Sequence, residues 1–222
     1  MARSAAPDGN ALRTQRTVER ILAESLRLFN ERGEANVTTG MIADSLNMSP
    51  GNLYYHFRNK DQIVERLFGR FAARIDIDPR PSTDASRAIE DLWLYLHLVL
   101  EAIWDYRFLY RNLDDLLARN RKLRGPFNRI IDRKLDVVVG LCEGLVGAGA
   151  MKASREEIAS VARNVLVVAT YWLNFQSVRG RHDDLSAADL GQGAYQVLAL
   201  VSPYLVGEAR RHLDQLSRQY ID

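Results

Sequence analysis

The stretch TTGMIADSLNMSPGNLYYHFRNK, Thr38 to Lys60, decides the fold, because it predicts two short helices joined by a tight turn. Apolar residues recur at roughly helical spacing from Met41 to Leu46, directly after a threonine pair that can cap a helix. Asn47 lies where a residue in the left-handed conformation ends such a helix. The first half of the stretch therefore predicts the first helix of a helix-turn-helix.

The second half predicts a helix with an unusual outer face. Ser49 can accept hydrogen bonds from the first amides of a helix, and Pro50 suits its first position. Leu53 and Phe57 are spaced i, i+4, so both point inward. The residues left facing outward or sideways are Gly51, Asn52, Tyr54, Tyr55 and His56. Buried leucine beneath exposed tyrosine inverts the usual pattern and favours a DNA-reading helix over a hairpin whose aromatic side chains merely pack.

This segment resembles the helix-turn-helix of the TetR family of bacterial transcriptional regulators. The LYYHF string at Leu53 to Phe57, followed by Asn59-Lys60, is similar to the most diagnostic stretch of that family, and the likeness covers the N-terminal third of the chain. Further on, DYRFLYRNLDDLL at Asp105 to Leu117 and ATYWLNF at Ala169 to Phe175 resemble its bacterial transcriptional repressor subgroup. The resemblance implies an all-α protein with an N-terminal three-helix helix-turn-helix DNA-binding domain and a C-terminal helical effector-binding and dimerisation domain.

The resemblance also assigns DNA-binding positions. It places Thr39, Tyr55, His56 and Lys60 at phosphates, and Gly40, Gly51, Asn52 and Tyr54 nearer base edges. The complete DNA-binding set is Thr38, Thr39, Gly40, Ser49, Pro50, Gly51, Asn52, Tyr54, Tyr55, His56 and Lys60. Chemistry agrees, since Asn52 can pair with adenine and a lysine at a helix start is poorly placed for the helix dipole, which favours a phosphate partner for Lys60. Gly40 and Gly51 have no side chain, so readout rests on few base contacts and on DNA shape.

Length and composition predict two domains in a cytoplasmic protein. A chain of 222 residues accommodates a flexible tail at 1–10, a DNA-binding domain at 11–76 and a second domain at 77–222. The first ten residues lack the apolar core of a signal peptide, and the longest nearly apolar run, Val165 to Leu173, is too short to cross a bilayer. The lone Cys142 lies among apolar residues, which predicts a small core side chain.

The charge surplus lies entirely in the N-terminal part. Residues 1–76 hold 11 Lys and Arg against 9 Asp and Glu, whereas residues 77–222 hold 19 of each. Arg3, Arg13, Arg16 and Arg20 lie where an arm or the first helix can approach phosphates, although solvated helix charges explain each of them equally well.

Apolar periodicity and helix-boundary residues predict a helical chain throughout. Val18 to Phe29 carry a scaffold helix that ends at Gly33, and Asn59 with Gln62 opens a fourth helix that reaches Ile75. The helices predicted after the proline-containing linker are 84–105, 108–120, 126–147, 154–179 and 186–217, the last bent at Pro203.

The C-terminal domain is rich in aromatic residues, which are usually core but also suit a pocket for an organic effector. The candidate effector-binding residues are Trp93, His97, Leu100, Trp104, Phe108, Arg111, Phe127, Tyr171, Asn174 and Phe175. Such a pocket is largely apolar and favours an acyl chain or an aromatic compound, with Arg107 or Arg111 meeting a carboxylate. His97 and Glu101, spaced i, i+4, are interpreted as a hydrogen-bonded pair because no third ligand or nucleophile accompanies them. The sequence predicts no metal site, no cofactor and no enzymatic activity.

The last two long helices have apolar faces that look too extensive for one monomer, which predicts a homodimer interface. The residues on these faces are Ile158, Val161, Ala162, Val165, Leu166, Ala169, Leu173, Ala194, Val197, Leu198, Val201 and Leu205. A C2 dimer matches a palindromic operator. The sequence thus indicates a DNA-binding repressor released by a small effector; the alternative is a ligand-independent DNA-architectural or protein-interaction dimer.

Overall fold

The computed structural model describes residues 9–79, 82, 84–181, 186–218 and 220, and the predicted all-α class is confirmed. The chain divides into two compact units, Met1–Arg70 and Phe71–Asp222. This division lies inside a continuous helix, whereas the linker prolines place the sequence boundary after it, at residues 76 and 77. Residues 1–8 of the predicted tail lie outside the described residues, and Gly9 and Asn10 already belong to the first helix.

From Gly9 onward, where its description begins, the N-terminal unit has four helices. They are α1 (Gly9–Arg32), α2 (Thr39–Ser45), α3 (Pro50–His56) and α4 (Lys60–Ile75), with one 3₁₀ turn (Glu34–Asn36) between α1 and α2. Its core is formed by the buried side chains of Ile21, Leu22, Leu28, Phe29, Val37, Ile42, Ala43, Leu53, Phe57, Ile63, Val64, Leu67 and Phe68. The predicted periodicity of α1 and α4 therefore identifies their inward faces correctly.

Local side-chain chemistry sets the ends of α2 and α3 as the sequence predicts. The Thr38 hydroxyl accepts a hydrogen bond from the Met41 amide at 3.2 Å, and Asn47 has the left-handed φ of 52° after α2. The Ser49 hydroxyl accepts from the Asn52 amide at 3.2 Å, and Pro50 is the first residue of α3. Each short helix is thus bounded by its own residues.

The C-terminal unit has seven further helices among the described residues. They are α5 (Ala85–Asp105), α6 (Phe108–Arg111), α7 (Leu113–Arg119), α8 (Arg121–Gly147), α9 (Arg155–Gln176), α10 (Ala187–Val201) and α11 (Gly207–Arg218). A π-helical turn (Ser177–Arg181) extends α9, and a 3₁₀ turn (Ser202–Tyr204) follows α10. The helix predicted over 108–120 is divided at Asn112, whose φ of −137° and ψ of 51° are not helical.

The prediction of one bent helix over 186–217 is wrong, because α10 ends at Val201 and the 3₁₀ turn that contains Pro203 ends at Tyr204. Leu205 is extended, and the amide of Val206 donates to the carbonyl of Ala150 at 3.0 Å. The Lys152 amide donates to the Tyr204 carbonyl at 2.9 Å, which completes a short pairing between the two segments. This pairing compensates for the helical hydrogen bonds that are lost beside the proline.

Helix α9 is capped as predicted and is strongly apolar. The Ser154 hydroxyl accepts from the Glu157 amide at 3.2 Å, and the Glu157 carboxylate accepts from the Ser154 amide at 2.7 Å. With its extension to Gly180 it is 26 residues long with a mean hydropathy of 1.2, enough by those two measures alone to cross a membrane. Only a third of that apolar window is buried within the chain.

The apolar faces predicted to be in excess of one monomer's core are in fact used by that core. Ten of those twelve residues are buried inside the single chain, including Val161, Leu173 and Leu198, and only Leu166 and Ala169 are half-buried. The exposed apolar residues of this region are instead Val167, Tyr171, Phe175 and Val178, here called the α9 stripe. They recur at i, i+4, i+8 and i+11, so they share one side of the helix.

Candidate DNA-binding surface and effector site

The outer face of α3 has the orientation that the sequence predicts. Leu53 and Phe57 are buried, whereas Tyr54 is 49% and Tyr55 79% exposed. Asn52 is also exposed, with its side chain one position before the buried leucine. The helix therefore presents one amide and two phenols to a partner outside the chain.

A hydrogen bond fixes α3 against α2. The hydroxyl oxygens of Thr39 and Tyr54 lie 3.0 Å apart, and each retains capacity for a further hydrogen bond. Next to them the rings of Tyr55 and His56 meet edge to face with centroids 5.0 Å apart. These contacts orient the exposed groups before any partner arrives.

The two glycines of this surface differ in their surroundings. A Cβ atom added to Gly51 meets nothing within 4 Å, whereas one added to Gly40 lies 3.6 Å from the Thr38 hydroxyl. Packing within the chain therefore does not require a glycine at position 51. The open space there is available to an approaching surface.

Lys60 does not face outward, which corrects the argument that assigns it to a phosphate. Its ammonium lies 2.8 Å from the Glu34 carboxylate and donates to the carbonyls of Glu34 and Val37 at 2.8 and 3.0 Å. Glu34 is almost fully buried. The position of Lys60 at a helix start is explained by these internal partners, because they satisfy all three of its donors.

Sequence reasoning missed Arg58, which is exposed in the turn between α3 and α4 and forms no ion pair with the described part of the chain. Its amide donates to the Gln62 side chain at 2.9 Å, which fixes the backbone that carries it. Its position directly after Phe57, beside the exposed face of α3, was the available signal. Arg13, Arg16 and Arg20 are likewise exposed along α1 at i, i+3 and i+7.

The candidate effector residues on α5 do not form one pocket with the others. The rings of Trp93 and His97 stack at 5.3 Å, and His97 also lies 3.4 Å from the Tyr220 hydroxyl and from Glu101. Leu100 is buried, and the Arg107 guanidinium lies over the ring of Trp104, 4.5 Å from its centroid. Among the described residues no group of three or more His, Cys, Asp or Glu side chains is arranged to hold a metal ion.

The candidates on α6 to α9 are also largely used within the fold. Phe108 and Arg111 are buried, and the Arg111 carbonyl accepts from the Asn174 amide group at 3.2 Å. Phe127 packs edge to face on Tyr110, with ring centroids 6.0 Å apart. Phe175 is half exposed and lies against Trp172.

A groove of about 570 Å³ lies between α7, α8 and α9. Its lining consists of Leu113, Asp114, Leu117, Arg124, Phe127, Asn128, Ile131, Asp132, Leu166, Val167, Thr170 and Tyr171. Of the ten candidate effector residues it includes only Phe127 and Tyr171, and neither Arg107 nor Arg111. The volume falls within the range of roughly 300–1,000 Å³ that is typical of small-molecule sites.

A capped helix-turn-helix followed by a helical second unit defines a class of helix-turn-helix DNA-binding regulators. The family model described as bacterial regulatory proteins, tetR family, matches residues 21–67, and the one described as bacterial transcriptional repressor matches residues 70–213. The protein belongs to the TetR family, whose members are DNA-binding transcriptional regulators and not enzymes.

Individual relatives agree with this assignment. A crystal structure of a TetR-family transcriptional regulator from Marinobacter aquaeolei is 36% identical, covers 92% of this chain and 98% of that one, and superimposes with a TM-score of 0.79. The transcriptional repressor KstR2 of Mycolicibacterium smegmatis is 34% identical over 34% of this chain. The negative regulator of the biofilm operon icaADBC, IcaR of Staphylococcus epidermidis, is 33% identical over 35% of it. The match spans about two fifths of these two relatives, 40% and 42%.

Proposed function

We propose that this protein is a cytoplasmic repressor that binds a palindromic operator as a homodimer and is released by a small, largely apolar effector. The outer face of α3 carries the proposal, because it exposes an amide and two phenols above a buried leucine and phenylalanine. A helix of this kind reads base edges in the major groove.

The DNA contacts divide by chemistry. Asn52 pairs with adenine, and Tyr54, held by Thr39, touches a base edge or a thymine methyl group. Tyr55, His56 and Thr39 bind phosphates together with Arg58, which takes the role that Lys60 cannot fill while its ammonium is bound to Glu34. Thr38, Ser49 and Pro50 act by fixing the ends of α2 and α3. Gly40 and Gly51 let the backbone approach the duplex.

The dimer forms through α9 and α10. The α9 stripe lies on a helix that packs on α10, and two of its members, Phe175 and Val178, do not line the groove that includes Val167 and Tyr171, so these two are available to a second copy. Burial of such a surface against a second copy is favourable by roughly 25 cal/mol per Å² of apolar area. A twofold dimer places two α3 helices on half-sites about one helical turn apart or a small multiple of that spacing.

The effector acts by population shift. A ligand that binds the C-terminal unit more tightly in a DNA-incompetent conformation lowers operator affinity by the ratio of its two affinities. Covalent chemistry is not required at any step. The groove between α7, α8 and α9 is the proposed place for this ligand.

Selection of genomic fragments by the purified protein, followed by anisotropy titration of the recovered sequence at several salt concentrations, tests the proposal. We expect a palindrome bound by a dimer, with an affinity that falls steeply as salt rises. Recovery of unrelated fragments, bound weakly and only at low salt, would instead support the architectural or protein-interaction alternative.

A further inference from the structure

The groove between α7, α8 and α9 has an apolar floor and a charged rim. Leu117, Phe127, Ile131 and Leu166 contribute apolar surface, and Phe127 is almost fully buried. The charged residues at the groove are Asp114 on α7 and Asp132 and Arg124 on α8, all exposed. Two carboxylates against one guanidinium give the groove a net negative charge.

Neighbouring cations do not neutralise these carboxylates. Arg133, next to Asp132, lies 2.6 Å from Asp76, and the Lys134 ammonium donates to the Ile77 carbonyl at 3.3 Å. Near the other carboxylate, Arg119 lies 2.9 Å from Asp115 rather than from Asp114. The Asp132 carboxylate forms no ion pair within the described ranges of the chain. The negative charge at the groove is therefore available to a ligand.

Polar groups with spare capacity also line the groove. The Tyr171 hydroxyl donates to the Asp114 carboxylate at 3.4 Å, which leaves the other lone pairs of that carboxylate open. Burial, together with that carboxylate, raises the pKa of Tyr171, so the phenol keeps the proton that it donates to Asp114. Thr170 is more than nine-tenths buried, lines the groove, and its hydroxyl has no hydrogen-bond partner among the described residues.

We propose that this groove binds an amphipathic cation, an alkyl- or arylammonium compound whose charged end is held by Asp114 and Asp132. The ring of Tyr171 adds a cation–π contact, and the apolar part of the ligand lies on Ile131, Leu117 and Leu166. This differs from the carboxylate ligand that the sequence favours, because Arg107 and Arg111 do not line the groove. The inference rests on the proposed effector function and names the chemical class of that effector.

Calorimetric titration of the full-length protein with three probes of equal chain length tests the inference. Decyltrimethylammonium, decanoate and decanol each have a ten-carbon chain and carry a cationic, an anionic and an uncharged head group respectively. We expect saturable binding of the ammonium compound at least tenfold tighter than that of decanoate, with decanol between them. Equal or tighter binding of decanoate, or failure of the ammonium compound to bind, would overturn the proposal.

Matched variants distinguish binding in the groove from nonspecific attraction of the cation to an acidic surface. Asp132→Asn and Asp114→Asn should each weaken ammonium binding about tenfold, which corresponds to about 1.4 kcal/mol, and should leave decanol binding unchanged. Asp136→Asn, one turn along α8, and Asp115→Asn, whose side chain is paired with Arg119, are the controls. Equal losses in Asp132→Asn and Asp136→Asn would contradict a specific site.

A variant that should bind the ammonium compound more tightly shows that the expected losses are not caused by misfolding. Arg124→Gln removes the one cation among the described residues that line the groove, so ammonium binding should strengthen severalfold while circular dichroism stays unchanged. A loss of affinity in this variant would contradict the electrostatic argument.

Repeating the titrations with operator present separates the two proposals. Cation binding that never alters operator affinity supports the site but overturns its effector role, whereas specific operator binding without any cation binding overturns only the inference about the groove.

Discussion

The Lys60 ammonium lies 2.8 Å from the Glu34 carboxylate and joins the start of α4 to the 3₁₀ turn before α2. Glu34 is buried, and the side chain of Lys60 is about three-quarters buried, with an exposed fraction of 23%. Two backbone carbonyls, of Glu34 and Val37, complete the coordination of the ammonium. This lysine therefore sets the position of the helix-turn-helix within its unit.

Lys60→Ala should lower the stability of the N-terminal unit by about 2–4 kcal/mol, because it removes the ammonium that pairs with the buried Glu34 carboxylate. Urea unfolding followed by circular dichroism measures the loss, and Glu34→Gln combined with Lys60→Met should restore part of it. At temperatures where the variant is folded, the salt dependence of DNA binding should match that of the wild type. A flattened salt dependence with unchanged stability would show that Lys60 binds a DNA phosphate after all.

Arg58→Ala should weaken binding to all DNA sequences alike. Losing one phosphate contact in each half-site of a palindrome makes the negative slope of log affinity against log salt shallower by about 2. Anisotropy titrations at four or more salt concentrations give that slope, with Lys152→Ala, an exposed lysine of the C-terminal unit, as the control. An unchanged slope would show that Arg58 does not contact a DNA phosphate.

Gly51→Ala should stabilise the free protein by about 0.5–1 kcal/mol and weaken operator binding. The gain follows from higher helix propensity at a position with no steric conflict, and the loss from a methyl group in the space left for DNA. Gly69→Ala is the matched control, since it lies in α4 with equally open surroundings. It should produce the same stability gain without altering DNA affinity. Equal DNA affinity in the two variants would show that α3 does not approach DNA closely at residue 51.

Phe175→Glu should convert the dimer to a monomer, because it places a charge in the centre of the α9 stripe. Sedimentation velocity at several protein concentrations measures the change, and operator affinity should fall with it. Leu94→Glu is the control, since Leu94 is similarly exposed but lies on α5. A dimer that persists in Phe175→Glu and dissociates in Leu94→Glu would place the interface elsewhere.

Lys134 should give the C-terminal unit a stability that rises with pH. The side chain is buried above the Tyr95 ring, 5.1 Å from its centroid, and burial lowers the pKa of Lys134 to about 8, a shift that nearby Asp76 opposes. Between pH 8 and the unfolded value of about 10.4, the unfolded chain binds a proton that the folded chain has released, so stability increases across this window.

The difference in unfolding free energy between wild type and Lys134→Met isolates this effect. Burial raises the pKa of Cys142 to about 11, which lowers stability as pH rises above 9, but both proteins share that contribution. We expect the wild type to gain stability relative to Lys134→Met as the pH rises from 8 to 10. From pH 6 to pH 7 the difference in unfolding free energy should stay constant. A Lys152→Met control should show no slope.

The sequence predicts the ends of α2 and α3 and the outer face of α3 well because their determinants are local. Thr38, Ser49 and Pro50 fix helix ends through neighbours within three residues, and the spacing of Leu53 and Phe57 orients α3 whatever surrounds it. The role of Lys60 is not local, since its partner Glu34 is 26 residues away along the chain. The helix-dipole argument could identify an unusual lysine but not its partner.

The candidate effector site shows the same contrast between features that local sequence sets and features that depend on helix packing. Helical spacing groups Trp93 with His97, and they do stack, but spacing cannot distinguish a ring that packs in the core from one that lines a groove. Only the packing of α7, α8 and α9 brings Asp114 and Asp132 to one groove and leaves Trp104 outside it. Periodicity likewise finds the apolar residues of α9 but not which of them the rest of the chain covers.

The sequence by itself determined the all-α class, the family, and the positions and outer face of α2 and α3, because capping, turn formation and helical periodicity act over a few residues. Tertiary structure alone decided that Lys60 is bound to Glu34, that the apolar faces of α9 and α10 fill the monomer core, and that an acidic groove opens beside α9. Contacts of this kind join residues far apart in the chain, so they depend on how helices pack and not on the pattern within any one of them.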